Sequence, residues 1–168
     1  MALSSDSDSL LSLDALKDLK DARVTIVCTE WNEKIVREQL NGAHKILLSA
    51  GAKCVGEFVV PGAFEIPFAC KQIAENSRGM NNAPEAIISF GAVIRGGTPH
   101  FDYVCKAVVE GISALNVTLN IPVIFGVLTL DTEAQAWERL GGIHGHKGEE
   151  AAIAALKMIQ FNRTISKK

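Results

Sequence analysis

The chain has 168 residues, 17 basic and 19 acidic side chains, a formal net charge of -2, and 48% hydrophobic residues. That length suits one domain with a substantial core. The nearly balanced charge offers no footprint for nucleic acid or a membrane surface, and no apolar run approaches the ~20 residues that cross a bilayer.

The first residues, MALSSDSDSL, lack the basic start and long apolar stretch of a secretory signal, and the early Asp6 and Asp8 argue against a transit peptide. Residues 1–20 read as a flexible tail. Ser and Asp dominate as far as Ser9, and LLSLDALKDLK then offers a weakly amphipathic turn or a docking arm. Residues 21–168 read as a single domain.

From Arg23 onward strand and helix patterns alternate. VTIVCT (Val24–Thr29) is a β-branched, strand-like run. Asn32 to Ala50 reads as a helix, with Val36, Leu40, Ala43 and Leu47 along one stripe and Gly51 as its stop. CVGEFVV (Cys54–Val60) is a second strand, closed by Pro61-Gly62. Phe64 to Asn76 is helical, with Pro67 tolerated in the first turn, and Asn76–Pro84 is a polar loop.

AIISFGAVI (Ala86–Ile94) is apolar on both faces, as a parallel strand covered by helices should be. Thr98 is a good helix N-cap and Pro99 suits the first helical position. Phe101, Val104, Cys105, Val108, Ile112 and Leu115 follow at helical spacing. PVIFGVLTL (Pro122–Leu130) is the fourth strand, and Thr132 with Gln135 reads as a capping box. Gly141–Gly148 breaks the chain before a last helix, Glu149 to about Thr164.

Four such strands predict an α/β fold, a parallel sheet with helices on both faces. Ligands in such sheets bind at the carboxyl ends of the strands, so the four loops there should converge. The stretch GAVIRGGTPHFDY (Gly91–Tyr103) is the richest of them. An apolar strand ends, glycines let backbone come close to a ligand, and helix-start amides form an anion cradle. His100 stands beside that cradle, suggesting proton transfer on a phosphorylated substrate. A cationic imidazole at a helix N-terminus needs compensation. Asp102 and Glu150 are the candidates.

Arg139 and Lys147 flank GGIHGH (Gly141–His146). They read equally as a solvated helix end or, for the planar fork of Arg139, as a phosphate clamp. Trp31, followed by Asn32, stands at a strand end and can pack or stack on a planar heterocycle. Phe125 lies mid-strand, where core packing is the favoured reading. Glu65 suits a first helical turn, while the backbone of Ala63, Phe64 and Glu65 can read the edge of a uracil-like ring.

The four cysteines (Cys28, Cys54, Cys70, Cys105) form no CxxC pair and no histidine stands at ligand spacing from them. They read as buried thiols in a reducing, cytoplasmic setting. His144 and His146 lack carboxylate support for a metal, and His44 reads as a helix-surface residue.

VPGAFEIP (Val60–Pro67), GAVIRGGTPHFDYV (Gly91–Val104), FGVLTLDTEAQAWER (Phe125–Arg139) and HKGEEAA (His146–Ala152), in this order, resemble the 6,7-dimethyl-8-ribityllumazine synthase family of riboflavin biosynthesis. The resemblance covers about Val24 to Met158. It implies a flavodoxin-like three-layer α/β/α sandwich with a four-stranded parallel sheet. It also implies a homopentamer with active sites between subunits, in some members a 60-subunit icosahedral shell, and riboflavin synthase as a partner held inside such a shell.

The implied reaction is a transferase-type condensation of 5-amino-6-(D-ribitylamino)uracil with 3,4-dihydroxy-2-butanone 4-phosphate, giving 6,7-dimethyl-8-ribityllumazine, phosphate and water. It needs no cofactor and no metal. Carried over residue by residue, Trp31 resembles the aromatic that stacks on the pyrimidine. Ala63-Phe64-Glu65 and Ala92-Val93-Ile94 look like its largely backbone-mediated contacts. Gly97 and Thr98 would bind the phosphate through their amides. His100 would move the proton, with Glu150 to orient it. Phe125 and Arg139 of the adjacent subunit would complete the ring and phosphate sites, which displaces the core-packing reading of Phe125. Asn32 and Lys147 complete the candidate substrate-binding set.

Two departures stand out. Ala63 occupies a position where many relatives carry a small hydroxyl residue, and His146 replaces the Asn of a Gly-Asn-Lys-Gly turn. The connection after Arg139 has the length found in shell-forming members. Two other readings remain at this stage. A flavin- or phosphate-holding module would not need His100 with Glu150. A non-catalytic shell protein would not need Trp31, His100, Phe125 and Arg139 together.

Overall fold

The structure, a computed structural model, describes residues 19–166. In chain order its elements are β1 (Arg23–Thr29), α1 (Glu33–Ser49), β2 (Lys53–Val60), a 3-10 turn (Ala63–Glu65), α2 (Ile66–Asn76) and β3 (Ala86–Ile94). There follow α3 (His100–Thr118), β4 (Val123–Leu130), α4 (Ala134–Glu138), the short strands β5 (Leu140–Gly142) and β6 (Gly145–His146), and α5 (Lys147–Ser166). The four long strands form an all-parallel sheet in the order β2-β1-β3-β4.

Strand alternation sends successive side chains to opposite faces of this sheet, and each face has its own helices. Ile26, Cys28, Ile88 and Phe90 meet Val36, Ala43 and Leu47 of α1 and Ala152, Leu156 and Ile159 of α5. Val27, Ile87 and Val127 meet Ile66 and Cys70 of α2 and its start, and Val108 and Ile112 of α3. The result is a three-layer α/β/α sandwich. Ile26, Ile66, Phe90 and Leu156 are fully buried, and each such side chain contributes roughly 1.5–3 kcal/mol relative to exposure. A third cluster, with Ile35, Ala92, Leu128, Leu130, Ala136 and Leu140, seals the carboxyl end of β3 and β4 under α4.

At the opposite end Glu85 ties the layers together. Its carboxylate accepts two bonds from Arg163 of α5, both at 2.8 Å, and one from the Arg23 amide at 3.0 Å. Burial alone would raise the Glu85 pKa, but these bonds outweigh it and hold the carboxyl below its ordinary value.

Several expectations need correction. Residues 1–18 of the expected tail lie outside the described residues, but Leu19 is only 4% exposed and already belongs to the core. The third helix starts at His100 with Pro99 in the cap position, and Thr98 makes no capping bond. The Thr132 box does not form: the Gln135 side chain accepts instead from the Asp131 amide at 2.8 Å, and Glu133 holds the cap position of α4. Gly141–His146 is a small antiparallel hairpin rather than a simple break.

The cysteines divide. Cys28 and Cys70 are buried, and desolvation pushes their thiols up to about 11 and about 12. Cys54 is exposed, because β2 is an edge strand whose side chains are largely uncovered, and Cys105 is half-buried. Among the described residues no helix is long and apolar enough to cross a membrane.

Candidate active site

The strand order reverses between β1 and β3, the place where open parallel sheets leave a crevice beyond their carboxyl ends. A cavity of about 640 Å³ occupies it. Trp31 and Asn32 enter from the end of β1, Ala63, Phe64 and Glu65 from the turn after β2, Ala92, Val93 and Ile94 from the end of β3, and His100 from the start of α3. These nine expected site residues are thus brought to one place.

Each wall has a local cause. Asn32 adopts a left-handed backbone (φ 60), tolerable for Asn, and its side-chain amide donates to the Ala92 carbonyl at 2.8 Å. That bond spans the crevice between β1 and β3 and fixes its width. Thr29 donates its hydroxyl to the Trp31 carbonyl at 3.1 Å, and the Trp31 side chain is left 73% exposed. A β-carbon at Gly62 would stand 3.6 Å from the Trp31 ring and 3.3 Å from Glu65 Oε2. The bare Gly62 therefore keeps the mouth between them open. Phe64 is exposed in the turn, while the methyl group of Ala63 is buried in the core.

Beyond Ile94 the chain runs through Gly96, Gly97 and Thr98, all exposed. Neither glycine has a positive φ, and a β-carbon on either would meet nothing within 4 Å. Their use is close approach by a ligand rather than turn geometry. Among the described residues no backbone carbonyl accepts from the amides of Gly96, Gly97 or Thr98. Unpaired main-chain donors just ahead of a helix suit an anion.

Arg95 holds this loop at both ends, a role the sequence reasoning missed. Its guanidinium donates to Asp131 Oδ1 at 2.8 Å and to Asp102 Oδ1 at 3.2 Å, and stacks 4.0 Å from the centroid of Phe101. The Asp131 and Asp102 carboxylates hold the Arg95 pKa above its ordinary value. Asp102 is therefore committed to Arg95, which corrects its candidacy as the partner of His100. Among the described residues no hydrogen bond or ion pair reaches the His100 ring.

Phe125, Arg139, Lys147 and Glu150 do not line the cavity. Phe125 lies on edge strand β4, on the face that carries Val123 and Val127, and is 41% exposed. Arg139 donates to the Gln135 carbonyl at 3.0 Å and lies 3.6 Å from Glu138. Lys147 pairs with Glu150 at 2.7 Å. Within one chain Glu150 is thus engaged away from His100. Phe125 and the Arg139 guanidinium are thus left apart from the cavity, whose lining holds no Arg or Lys.

A family model described as 6,7-dimethyl-8-ribityllumazine synthase matches residues 21–163. Proteins of that name from three organisms are similar to this chain. The one from Parabacteroides distasonis is 42% identical, over 96% of this chain and 99% of its own length. That from Porphyromonas gingivalis is 47% identical over 86% and 88%. That from Bacteroides fragilis is 48% identical over 84% and 97%.

Proposed function

The chain belongs to the 6,7-dimethyl-8-ribityllumazine synthase family, and from that premise we propose that this riboflavin-biosynthesis enzyme joins 5-amino-6-(D-ribitylamino)uracil to 3,4-dihydroxy-2-butanone 4-phosphate. The observation that carries the reading is the position of His100: it lines the aromatic-mouthed cavity and follows, two residues on in the chain, the Gly96–Thr98 loop whose three amides meet no backbone carbonyl among the described residues. A planar pyrimidine stacks on Trp31 and takes its edge contacts from the backbone of Ala63–Glu65 and Ala92–Ile94. The phosphate rests on the Gly97 and Thr98 amides.

The pyrimidine amine attacks the ketone and water leaves as the imine forms. Phosphate is then eliminated, and the second nitrogen closes the ring with loss of water. His100 stands between the two binding regions and carries the proton. Holding both substrates in one crevice supplies most of the acceleration, because effective concentration replaces a bimolecular encounter.

The proposal extends to assembly. Phe125 and Arg139 complete the site from a neighbouring subunit, Arg139 as a bidentate phosphate clamp and Phe125 against the ring. Lys147 and Glu150 stand near that second half, with Glu150 as the orienting carboxylate for His100 across the interface. Support comes from large apolar side chains left exposed on one chain, among them Phe64, Phe68, Phe125 and Ile143. A homopentamer satisfies this arrangement. A 60-subunit shell that holds riboflavin synthase is its largest form, and a reducing cytoplasm suits the four free thiols.

Incubation with both substrates tests the chemistry. Lumazine absorbance should rise in step with phosphate release. Phosphate release without lumazine, or neither signal, overturns the reading, and sedimentation of the same sample sizes the particle.

A further inference from the structure

We propose that His44, Cys54 and Glu57 form a binding site for one divalent transition-metal ion of the zinc class, at the open edge of the sheet and apart from the catalytic crevice. The ligand atoms these side chains offer all lie within 4.8 Å of one another. His44 Nε2 is already 3.0 Å from Glu57 Oε2. In a tetrahedral zinc site, ligand atoms about 2.0–2.3 Å from the ion are roughly 3.3–3.8 Å apart. Small side-chain rotations therefore bring the three to bonding distance. Nitrogen, sulfur and oxygen together suit a borderline ion such as Zn²⁺, and calcium or magnesium poorly.

Strand parity alone would forbid this grouping. Cys54 and Glu57 are three residues apart on β2, and in a regular strand they would face opposite sides. The pairing of β1 with β2 shifts at this point: Val24 pairs with Cys54 while Thr25 pairs with Gly56. The extra residue, Val55, is a bulge that brings Cys54 and Glu57 to the same face, beside His44 of α1. Bulges often re-aim side chains near sites.

The surroundings favour a cation. Among the described residues no Lys or Arg pairs with Glu57, and His44 is its one partner in an ion pair. Nearby cations are engaged elsewhere, Arg37 with Glu33 and Lys53 with Asp21. The Cys54 thiol donates to the Gly56 carbonyl at 3.4 Å. Binding exchanges its proton for the metal: the S–H bond breaks, a sulfur–metal bond forms, and one proton goes to solvent. His44 and Glu57 also line an open cavity of about 550 Å³, through which water reaches the remaining coordination position. The ion would staple α1 to β2, whose side chains have little other cover among the described residues.

The test uses the full chain, stripped with a chelator and titrated with Co²⁺ and then Zn²⁺. Expected are one equivalent per chain and a thiolate-to-cobalt charge-transfer band that disappears in Cys54→Ser. Zinc affinity, measured by competition with an indicator, should fall roughly tenfold or more in His44→Ala and in Glu57→Gln. Absence of the band in the unsubstituted protein, its persistence in Cys54→Ser, or a zinc affinity in His44→Ala and Glu57→Gln equal to that of the unsubstituted protein overturns the proposal. Glu57→Gln keeps the side-chain shape, so a loss there is not a loss of folding.

Discussion

The imidazole of His146 fills the space that a side chain at Gly42 would need: a β-carbon there would stand 2.2 Å from the ring Cε1. Gly42 lies in the middle of α1, where glycine weakens a helix, and the contact accounts for a glycine there. The ring also accepts from the Glu149 amide at Nδ1 (3.3 Å) and faces Glu38 through Nε2 (3.4 Å). That pattern assigns the proton to Nε2 and makes His146 a cap for α5. Gly42→Ala should therefore cost about 1–3 kcal/mol through overpacking. Adding His146→Asn, a smaller side chain that can still cap α5, should recover part of the loss. Thermal melts of the two single variants and the double variant measure this, and strictly additive shifts would remove the contact from the explanation.

The hydrophobic pattern made the layers legible, because β1 and β3 are apolar on both faces and α1 carries one clear stripe. The cavity residues were legible for a related reason: each lies at or after the carboxyl end of a strand. What escaped were effects of pairing. Nothing in GGIHGH alternates, so its hairpin has no hydrophobic signature. Cys54 reads as buried by composition, yet it lies on an edge strand, and edge position depends on strand order. The bulge at Val55 is visible only against β1. Arg95 escaped because both its carboxylate partners are distant or ambiguous in sequence, Asp131 lying on another strand's loop. Phe125, mid-strand, reads as core by pattern alone; the family resemblance already displaced that reading, and its exposure follows from β4 being an edge.

Arg95 supplies the second prediction. Its bonds to Asp131 and Asp102 hold the Gly96–Thr98 loop at both ends, yet the side chain is exposed and solvent screens the pairs, so they should add little to stability. Arg95→Ala should leave the melting temperature nearly unchanged and lower kcat/KM for the phosphorylated substrate by roughly 10–100-fold, since misplaced positioning groups cost about that much. Arg95→Lys keeps the charge but not the double contact or the stack on Phe101, and should recover little. Steady-state kinetics with each substrate varied in turn check both variants. Wild-type kinetics in Arg95→Ala would show that the loop holds its shape unaided.

The third prediction separates binding from proton transfer. Imine formation between an amine and a ketone proceeds in water unaided, so His100→Ala should slow the reaction by at most about 10²–10⁴-fold. Arg139→Ala should impair use of the butanone phosphate far more than His100→Ala slows ring closure. Trp31→Ala should weaken binding of the pyrimidine, read by calorimetric titration. Unchanged use of the phosphorylated substrate in Arg139→Ala would remove the clamp, and wild-type pyrimidine affinity in Trp31→Ala would remove the stack.

The fourth concerns acid. Burial works against the Glu85 charge, but the Arg163 fork and the Arg23 amide prevail, so the folded-state pKa lies below the ordinary 4.5. A carboxyl depressed on folding stabilises the protein above its unfolded-state pKa, and that contribution fades as pH falls through the folded-state value. The network is partly solvated, and screening limits its worth to about 1 kcal/mol. Glu85→Gln should therefore be less stable than the unsubstituted protein at neutral pH. The gap should narrow as pH drops below 4.5, where the native carboxyl becomes protonated and resembles the amide. Urea melts of both proteins across that range measure the gap directly. A gap of constant size would mean that the charge on Glu85 contributes nothing and that shape alone matters at this junction of β1, β3 and α5.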